Sequence, residues 1–231
     1  MRGITISRVV ASKSSSFSAG QHVTCLQGWS ELAILPAKDL TLIEIPTNGK
    51  LTDALGVLGG TGLTAYFGIL DVGQVKAGDF VVVSGAAGAT GSVVCQIAKL
   101  KGARVLGLAG SDDKVAWLKE LGCDAALNYK SSTFAEDFKK ETKDLIDVFY
   151  DNVGGEILEL ALSRAKIHAR FVICGAISQY NEAKPVGPKV CSSLFLLSRA
   201  GRERWGAGGD VDDVDGADGV VEFLDGDRDA D

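Results

Sequence analysis

The chain is poor in the residues that build metal sites and disulfide frameworks. Its five cysteines, Cys25, Cys95, Cys123, Cys174 and Cys191, stand singly, and the only histidines are His22 and His168. Without a C-x-x-C pair or a Cys/His cluster, neither a structural nor a catalytic zinc site is expected, and all five thiols read as buried and reduced. No apolar run approaches the length of a membrane span, and no basic-then-apolar leader opens the sequence. A soluble, cytoplasmic chain with no membrane partner is therefore expected. The net charge of −6 is unevenly spread. Residues 201–231 hold nine Asp and two Glu against three Arg, a net of −8, which leaves +2 on the first 200 residues. The body is nearly neutral, the acidity belongs to the tail, and neither part suggests nucleic acid as a partner. A hydrophobic content of 46% over 231 residues suffices for one large domain, alone or with an appendage.

What is present centres on residues 79–99. Phe80-Val81-Val82-Val83 has the length and β-branching of a buried strand. Gly85, Gly88 and Gly91 follow at intervals of three, and then Val93, Val94, Ile97, Ala98 and Leu100 mark one face of a helix. Strand, glycine turn and helix form the context of a dinucleotide fingerprint: small residues let the backbone approach a pyrophosphate, and the helix start presents N–H groups to it. Gly91 would let the helix pack closely on the strand. Ala86 stands where the first glycine of G-x-G-x-x-G would be, and a purely structural tight turn is the alternative. No Gly-Lys-Ser/Thr follows the turn, which argues against a P-loop.

The remainder alternates. Strands are expected at 104–109, 125–128, 145–151 and 170–175, and helices at 112–121 (Ser111 as N-cap), 134–141 and 156–163. That alternation predicts an α/β fold, a doubly wound parallel sheet with its ligand at the carboxyl ends of the strands. Upstream, Ile4, Ile6, Val9 and Val10 are strand-like, Phe17–Val23 and Trp29–Leu35 resemble rim strands of a small barrel, and a helix is expected to begin near Gly62. After Pro185 and Pro188 only Leu194–Leu197 is apolar and the rest is Gly/Asp/Arg-rich, so residues 200–231 are expected to be disordered or poorly packed. Asp213, Asp215, Gly216 and Glu222 match four positions of an EF-hand loop, but Val211 occupies the first ligand position, and a chance match is the preferred reading.

At the end of the second strand of the unit, where NAD-selective sites carry Asp or Glu, the sequence reads Ala109-Gly110-Ser111, and Lys114 follows one turn into the helix. No carboxylate stands there to repel a 2′-phosphate, and Ser111 and Lys114 could bind one, so NADPH is favoured over NADH. A solvated surface lysine is the alternative for Lys114.

The motifs Gly62-Leu63-Thr64-Ala65-Tyr66, Ala86-Ala87-Gly88-Ala89-Thr90-Gly91, Gly110-Ser111-Asp112-Asp113-Lys114, Asn128-Tyr129-Lys130, Asp151-Asn152-Val153-Gly154-Gly155 and Cys174-Gly175-Ala176-Ile177-Ser178-Gln179-Tyr180-Asn181 carry a resemblance. Between Gly59 and Asn181 the chain resembles the zinc-independent branch of the medium-chain dehydrogenase/reductases that holds the leukotriene B4 dehydrogenases, prostaglandin reductases and alkenal double-bond reductases. Residues 1–50 resemble the later part of that family's barrel-like domain. The resemblance implies a partial GroES-like substrate domain over 1–45, a Rossmann NADPH-binding domain over 46–190 and an acidic tail over 191–231. It also implies NADPH-dependent reduction of the C=C bond of an α,β-unsaturated ketone or aldehyde, with hydride delivered to the β-carbon.

By the resemblance, Gly88, Ala89, Thr90 and Gly91 hold the pyrophosphate, Ser111 and Lys114 the 2′-phosphate, and Tyr129 lies on the adenosine-phosphate side. Asn152 contacts the cofactor, Cys174, Gly175, Ala176, Ile177 and Ser178 line the nicotinamide end, and Tyr180 is the hydrogen-bond donor or proton source. A surface aromatic is the alternative for Tyr180, a packed aromatic for Tyr129 and a turn former for Asn152. Relative to the family, the chain begins inside the substrate domain and loses the pattern after Asn181. The family's sixth strand and the homodimer commonly built on it are therefore not carried over, and the tail reads as out-of-frame or intron-derived coding. A non-catalytic nucleotide-binding remnant and a quinone oxidoreductase remain as alternative readings.

Overall fold

A computed structural model describes residues 2–184, 186 and 187. The acidic tail, Cys191 and the EF-hand-like match lie outside the described residues. The chain divides into two compact units, Met1–Leu63 and Thr64 onward. The division falls later than the expected 45/46 because the turn at Leu51–Leu55 lies against β1 (Arg2–Arg8).

The first unit is an antiparallel sheet in the order β1, β2 (His22–Gly28), β3 (Leu40–Leu42), with Thr5 opposite Cys25 and Val23 opposite Leu42. Of two expected strands, the one over Phe17–Val23 begins only at His22, in β2, and the one over Trp29–Leu35 is absent. Ser18–Gln21 closes a turn, with the Gln21 N–H donating to the Ser18 carbonyl at 3.3 Å. Trp29–Leu35 is irregular because β3 already occupies the second edge of β2, and Trp29, Leu32 and Ile34 are exposed. Among the described hydrophobic side chains of this unit, only Val23 and Cys25 are buried.

The second unit begins in α1 (Gly60–Phe67), which runs into a wider π-helical turn at Gly68–Val72. β4 (Phe80–Val83), α2 (Ala89–Leu100), β5 (Arg104–Ala109), α3 (Asp112–Glu120), β6 (Ala125–Asn128), α4 (Phe134–Glu141), β7 (Ile146–Asp151), α5 (Gly155–Ser163) and β8 (Ala165–Ile173) follow. The five strands are parallel, in the order β6-β5-β4-β7-β8. This is the doubly wound arrangement read from the alternation, with the chain reversing direction across the sheet between β4 and β7.

Strand alternation sorts the apolar residues onto two faces. Val81, Val83, Val105, Val148, Tyr150 and Val172 join α2 and α3 through Val94, Ala98 and Leu118. On the other face Phe80, Val82, Leu106, Leu108 and Phe149 meet Phe134 and Phe138 of α4 and Ile157, Leu158 and Ala161 of α5. Burial of β4 on both faces explains why it reads as an unbroken apolar run. Cys95 and Cys123 are buried in the first face, but Cys174 is only partly buried, a correction to the expectation for all five thiols. No described helix is long and apolar enough to cross a membrane.

Candidate functional site

A cleft of about 310 Å³ opens at the carboxyl ends of the strands, where the sheet order reverses. Its lining comes from five places, one at or beyond the end of each strand of the sheet. Gly85, Ala87, Gly88, Ala89, Thr90 and Gly91 form the turn from β4 into α2; Ala109, Gly110 and Lys114 lie at the end of β5 and the start of α3; Tyr129 follows β6; Asn152, Val153 and Ile177 come from the turn after β7 and the loop after β8.

The glycine turn is a backbone surface aimed at a ligand. α2 starts at Ala89, so its first amides have no helical acceptor and face the cleft end of the helix dipole. At Gly91 a Cβ would sit 2.8 Å from Ala86 Cα and nearer still to the Gly85 carbonyl, so only glycine allows this approach of helix to turn. Ala86 is fully buried, and its N–H donates to the Leu108 carbonyl at 2.9 Å. The residue standing at the usual first glycine thus anchors the turn to β5 rather than facing a ligand.

The far wall is set by other contacts. Tyr129 donates its backbone N–H to Ala109 at 2.9 Å, and its ring covers Gly110, where a Cβ would lie 2.6 Å from the phenol oxygen. Asn128 Nδ2 donates to Asp112 Oδ1 at 2.8 Å and ties the end of β6 to the start of α3. Lys114 is exposed and lines the cleft, and the end of β5 carries no carboxylate. Ser111 occupies the N-cap position of α3 without capping it. Its hydroxyl instead binds Asp113, and that bond is the main cause holding the Asp113 carboxyl below its ordinary range.

Of the residues expected in the site, the cleft gathers Gly88, Ala89, Thr90, Gly91, Lys114, Tyr129, Asn152 and Ile177. Ser111, Cys174, Gly175, Ala176, Ser178 and Tyr180 do not line it. For the five that follow β8 the reason is structural. The loop after β8 folds back on the turn after β7: the Cys174 and Gly175 amides donate to the Asp151 carbonyl, and Ser178 N donates to the Val153 carbonyl at 3.1 Å. Tyr180 is 66% exposed, with its hydroxyl accepting from Ala176 N at 3.2 Å. That bond uses a lone pair and leaves the phenol proton for another acceptor. The sequence reading did not assign Gly85, Ala87, Ala109, Gly110 and Val153 individually to the site; each ends a strand or lies within four residues of the end of one.

Residues 89–203 match the family model described as zinc-binding dehydrogenase. Prostaglandin reductase 1 of Bos taurus is 49% identical over 200 residues, which is 85% of this chain and 61% of that protein. The chain is similar to the medium-chain dehydrogenase/reductase family over most of its length. Another relative, the NADPH-dependent curcumin reductase of Escherichia coli, is 41% identical over 191 residues, covering 81% of this chain and 55% of the relative. The crystal structure of CurA from Vibrio vulnificus in complex with NADPH superposes with a TM-score of 0.72 at 39% identity, covering 86% of this chain and 59% of that one. The chain thus spans about three fifths of the length of the curated relatives it matches. Although the matching model is described by zinc, among the described residues no group of three His, Cys, Asp or Glu side chains could hold a metal ion.

Proposed function

We propose that this chain binds NADPH in the cleft at the carboxyl ends of β4, β5 and β7, and that it serves reduction of the C=C bond of α,β-unsaturated ketones or aldehydes. One observation carries the nucleotide reading: the glycine turn, the uncapped start of α2 and Lys114 line one cleft, and no carboxylate ends β5. Gly88 to Gly91 would hold the pyrophosphate, Lys114 the 2′-phosphate, and Tyr129 and Asn152 would flank the bound nucleotide. The names of the curcumin reductase and of the CurA complex, both of which carry NADPH, support this choice over NADH.

When bound, NADPH would supply the hydride for the β-carbon of an enone. The protein's part is to stabilise the charge that develops on the carbonyl oxygen and to see the α-carbon protonated. Tyr180 is assigned the first task, since its phenol proton is not spent on the Ala176 contact. Its exposure favours a second reading, a nucleotide-binding chain without turnover.

Fluorescence titration of the purified chain with NADPH, with NADH as control, tests binding. Consumption of NADPH with simple alkenals then separates the two readings. Saturable, NADPH-preferring binding with turnover supports the reductase. Binding without turnover leaves the second reading, and no binding to either nucleotide overturns both.

A further inference from the structure

The two walls of the cleft are joined by a buried polar pair that the reductase reading does not use. Asp151 and Ser84 are both fully buried, one at the end of β7 and the other directly after β4. Ser84 Oγ donates to Asp151 Oδ1 at 2.6 Å and accepts from Asn152 N at 2.8 Å, while the Ser84 carbonyl accepts from Asn152 Nδ2 at 2.8 Å. Asp151 Oδ1 also accepts from Val153 N at 3.1 Å and Gly154 N at 3.0 Å, and Oδ2 takes a second contact from Gly154 N at 3.1 Å. Gly154 turns its amide inward at φ +70°, ψ −158°, a conformation essentially confined to glycine. From this turn the network reaches the loop after β8, because Ile177 N donates to the Asn152 carbonyl at 3.3 Å and Ser178 N to the Val153 carbonyl.

Buried polar atoms are tolerated only when hydrogen-bonded, and a buried carboxylate is costlier still. A fold that needed only packing at this point would be served by apolar residues. Here the groups are placed so that one serine clamps Asn152 by both its backbone and its side chain. The same serine immediately precedes Gly85, the first lining residue of the opposite wall. Resting on the nucleotide reading above, we infer that Ser84 and Asp151 are positioning residues: they hold Asn152 and, through the Val153–Gly154 turn, Ile177 at the spacing from the glycine turn that a bound dinucleotide requires.

The test uses the full chain and two substitutions. Ser84→Ala removes the hydroxyl and keeps the carbonyl; Asp151→Asn keeps an Oδ1 acceptor and removes the charge. NADPH affinity is measured by fluorescence, and amide hydrogen exchange is followed with and without nucleotide. In Ser84→Ala, affinity is expected to fall roughly tenfold, about the loss of one charge-network hydrogen bond. Exchange should quicken at residues 152–155 and 177–178, with Val81–Val83 and Val105–Leu108 still protected. Asp151→Asn should stay within about threefold of the parent in affinity, since Oδ1 still accepts from Ser84 and the turn amides. Unchanged affinity in Ser84→Ala overturns the inference, and so does exchange that quickens evenly across the sheet, because that marks a merely structural role. Failure of the parent chain to bind NADPH overturns the nucleotide reading instead. The exchange pattern alone then decides whether Ser84 positions the turn.

Discussion

Gly91 offers the sharpest test of how the cleft is built. In Gly91→Ala the new Cβ would stand 2.8 Å from Ala86 Cα and 3.0 Å from the Gly85 carbonyl carbon, with the carbonyl oxygen nearer still. These are backbone atoms of a turn already pinned by the Ala86–Leu108 hydrogen bond, so no flexible side chain can swing aside. Overpacking costs about 1–3 kcal/mol, and a backbone collision belongs at the upper end. Alanine's better helix propensity returns about 1 kcal/mol, which leaves a net loss of roughly 2 kcal/mol. At about 3 °C per kcal/mol for a unit of this size, the midpoint should fall about 6 °C.

Gly88→Ala supplies the contrast. Gly88 has φ −83°, and its Cβ would meet only the Gly85 carbonyl, at 3.1 Å. Stability should change by less than about 1 kcal/mol, since a contact of this length needs a shift of only a few tenths of an ångström. The added methyl would instead stand in the cleft, where Gly88 is a lining residue. Differential scanning calorimetry and NADPH titration on both variants read the two effects separately. Gly91→Ala should lose stability and affinity together, and Gly88→Ala affinity alone, by roughly tenfold or 1.4 kcal/mol. A Gly91→Ala midpoint equal to that of the parent would refute the packing argument. A Gly88→Ala variant that binds as well as the parent would refute the placement of the pyrophosphate.

Three further outcomes are expected. Lys114→Ala should weaken NADPH roughly tenfold and leave NADH unchanged, since only NADPH carries the 2′-phosphate assigned to this exposed cation; equal losses for both nucleotides in paired titrations would remove Lys114 from that role. Tyr180→Phe should lower kcat with an alkenal by about a hundredfold while the NADPH Kd stays put, and steady-state kinetics beside a binding titration would expose a parallel rise in Kd as the contrary result. Burial holds the Asp151 carboxyl above its ordinary range, so this group contributes stability below that range and loses it as pH rises through the raised value. Urea denaturation of the parent and Asp151→Asn from acid to neutral pH should therefore show the parent's relative stability declining with rising pH; a relative stability that rises with pH would contradict the direction of the shift.

The parallel sheet was legible because its signals are local. Runs such as Phe80–Val83 and Val105–Ala109 are buried on both faces, so they read as unbroken apolar segments, and the helices between them carry ordinary amphipathic spacing. The glycine turn was legible for the same reason, with strand, turn and helix contiguous in the chain. The first unit was harder. Whether Trp29–Leu35 becomes a strand depends on a free partner edge, and β3, Leu40–Leu42, fills that edge. Ser111 was legible as the N-cap residue of α3, but its missing capping bond was not, because its hydroxyl turns to Asp113. The Ser84–Asp151 pair lies 67 positions apart in sequence, and only the β4–β7 pairing brings the two together. Its one trace in the sequence is a polar residue closing each of two strongly apolar strands.

The two ends of the cleft are held by structure of unequal stiffness, and this bears on how function would be lost. The nucleotide wall is made by strand ends and a helix start whose neighbours, Val83, Ala86 and Ala109, are buried and belong to one packed face. The loop that carries Ile177 and Tyr180 has both those side chains more than 60% exposed and is tied down chiefly by hydrogen bonds to Asp151, Asn152 and Val153. Segments with few buried apolar contacts open at lower free energy than the core they rest on. Binding of the adenosine and pyrophosphate portions is thus expected to survive perturbations that abolish turnover. A chain warmed to just below its midpoint should still retain NADPH while consumption of the nucleotide with an alkenal has already fallen. Parallel loss of the two activities across the temperature range would mean that the loop and the sheet open as one unit, and that the hydrogen bonds from Asp151 to Val153 anchor it as firmly as packing would.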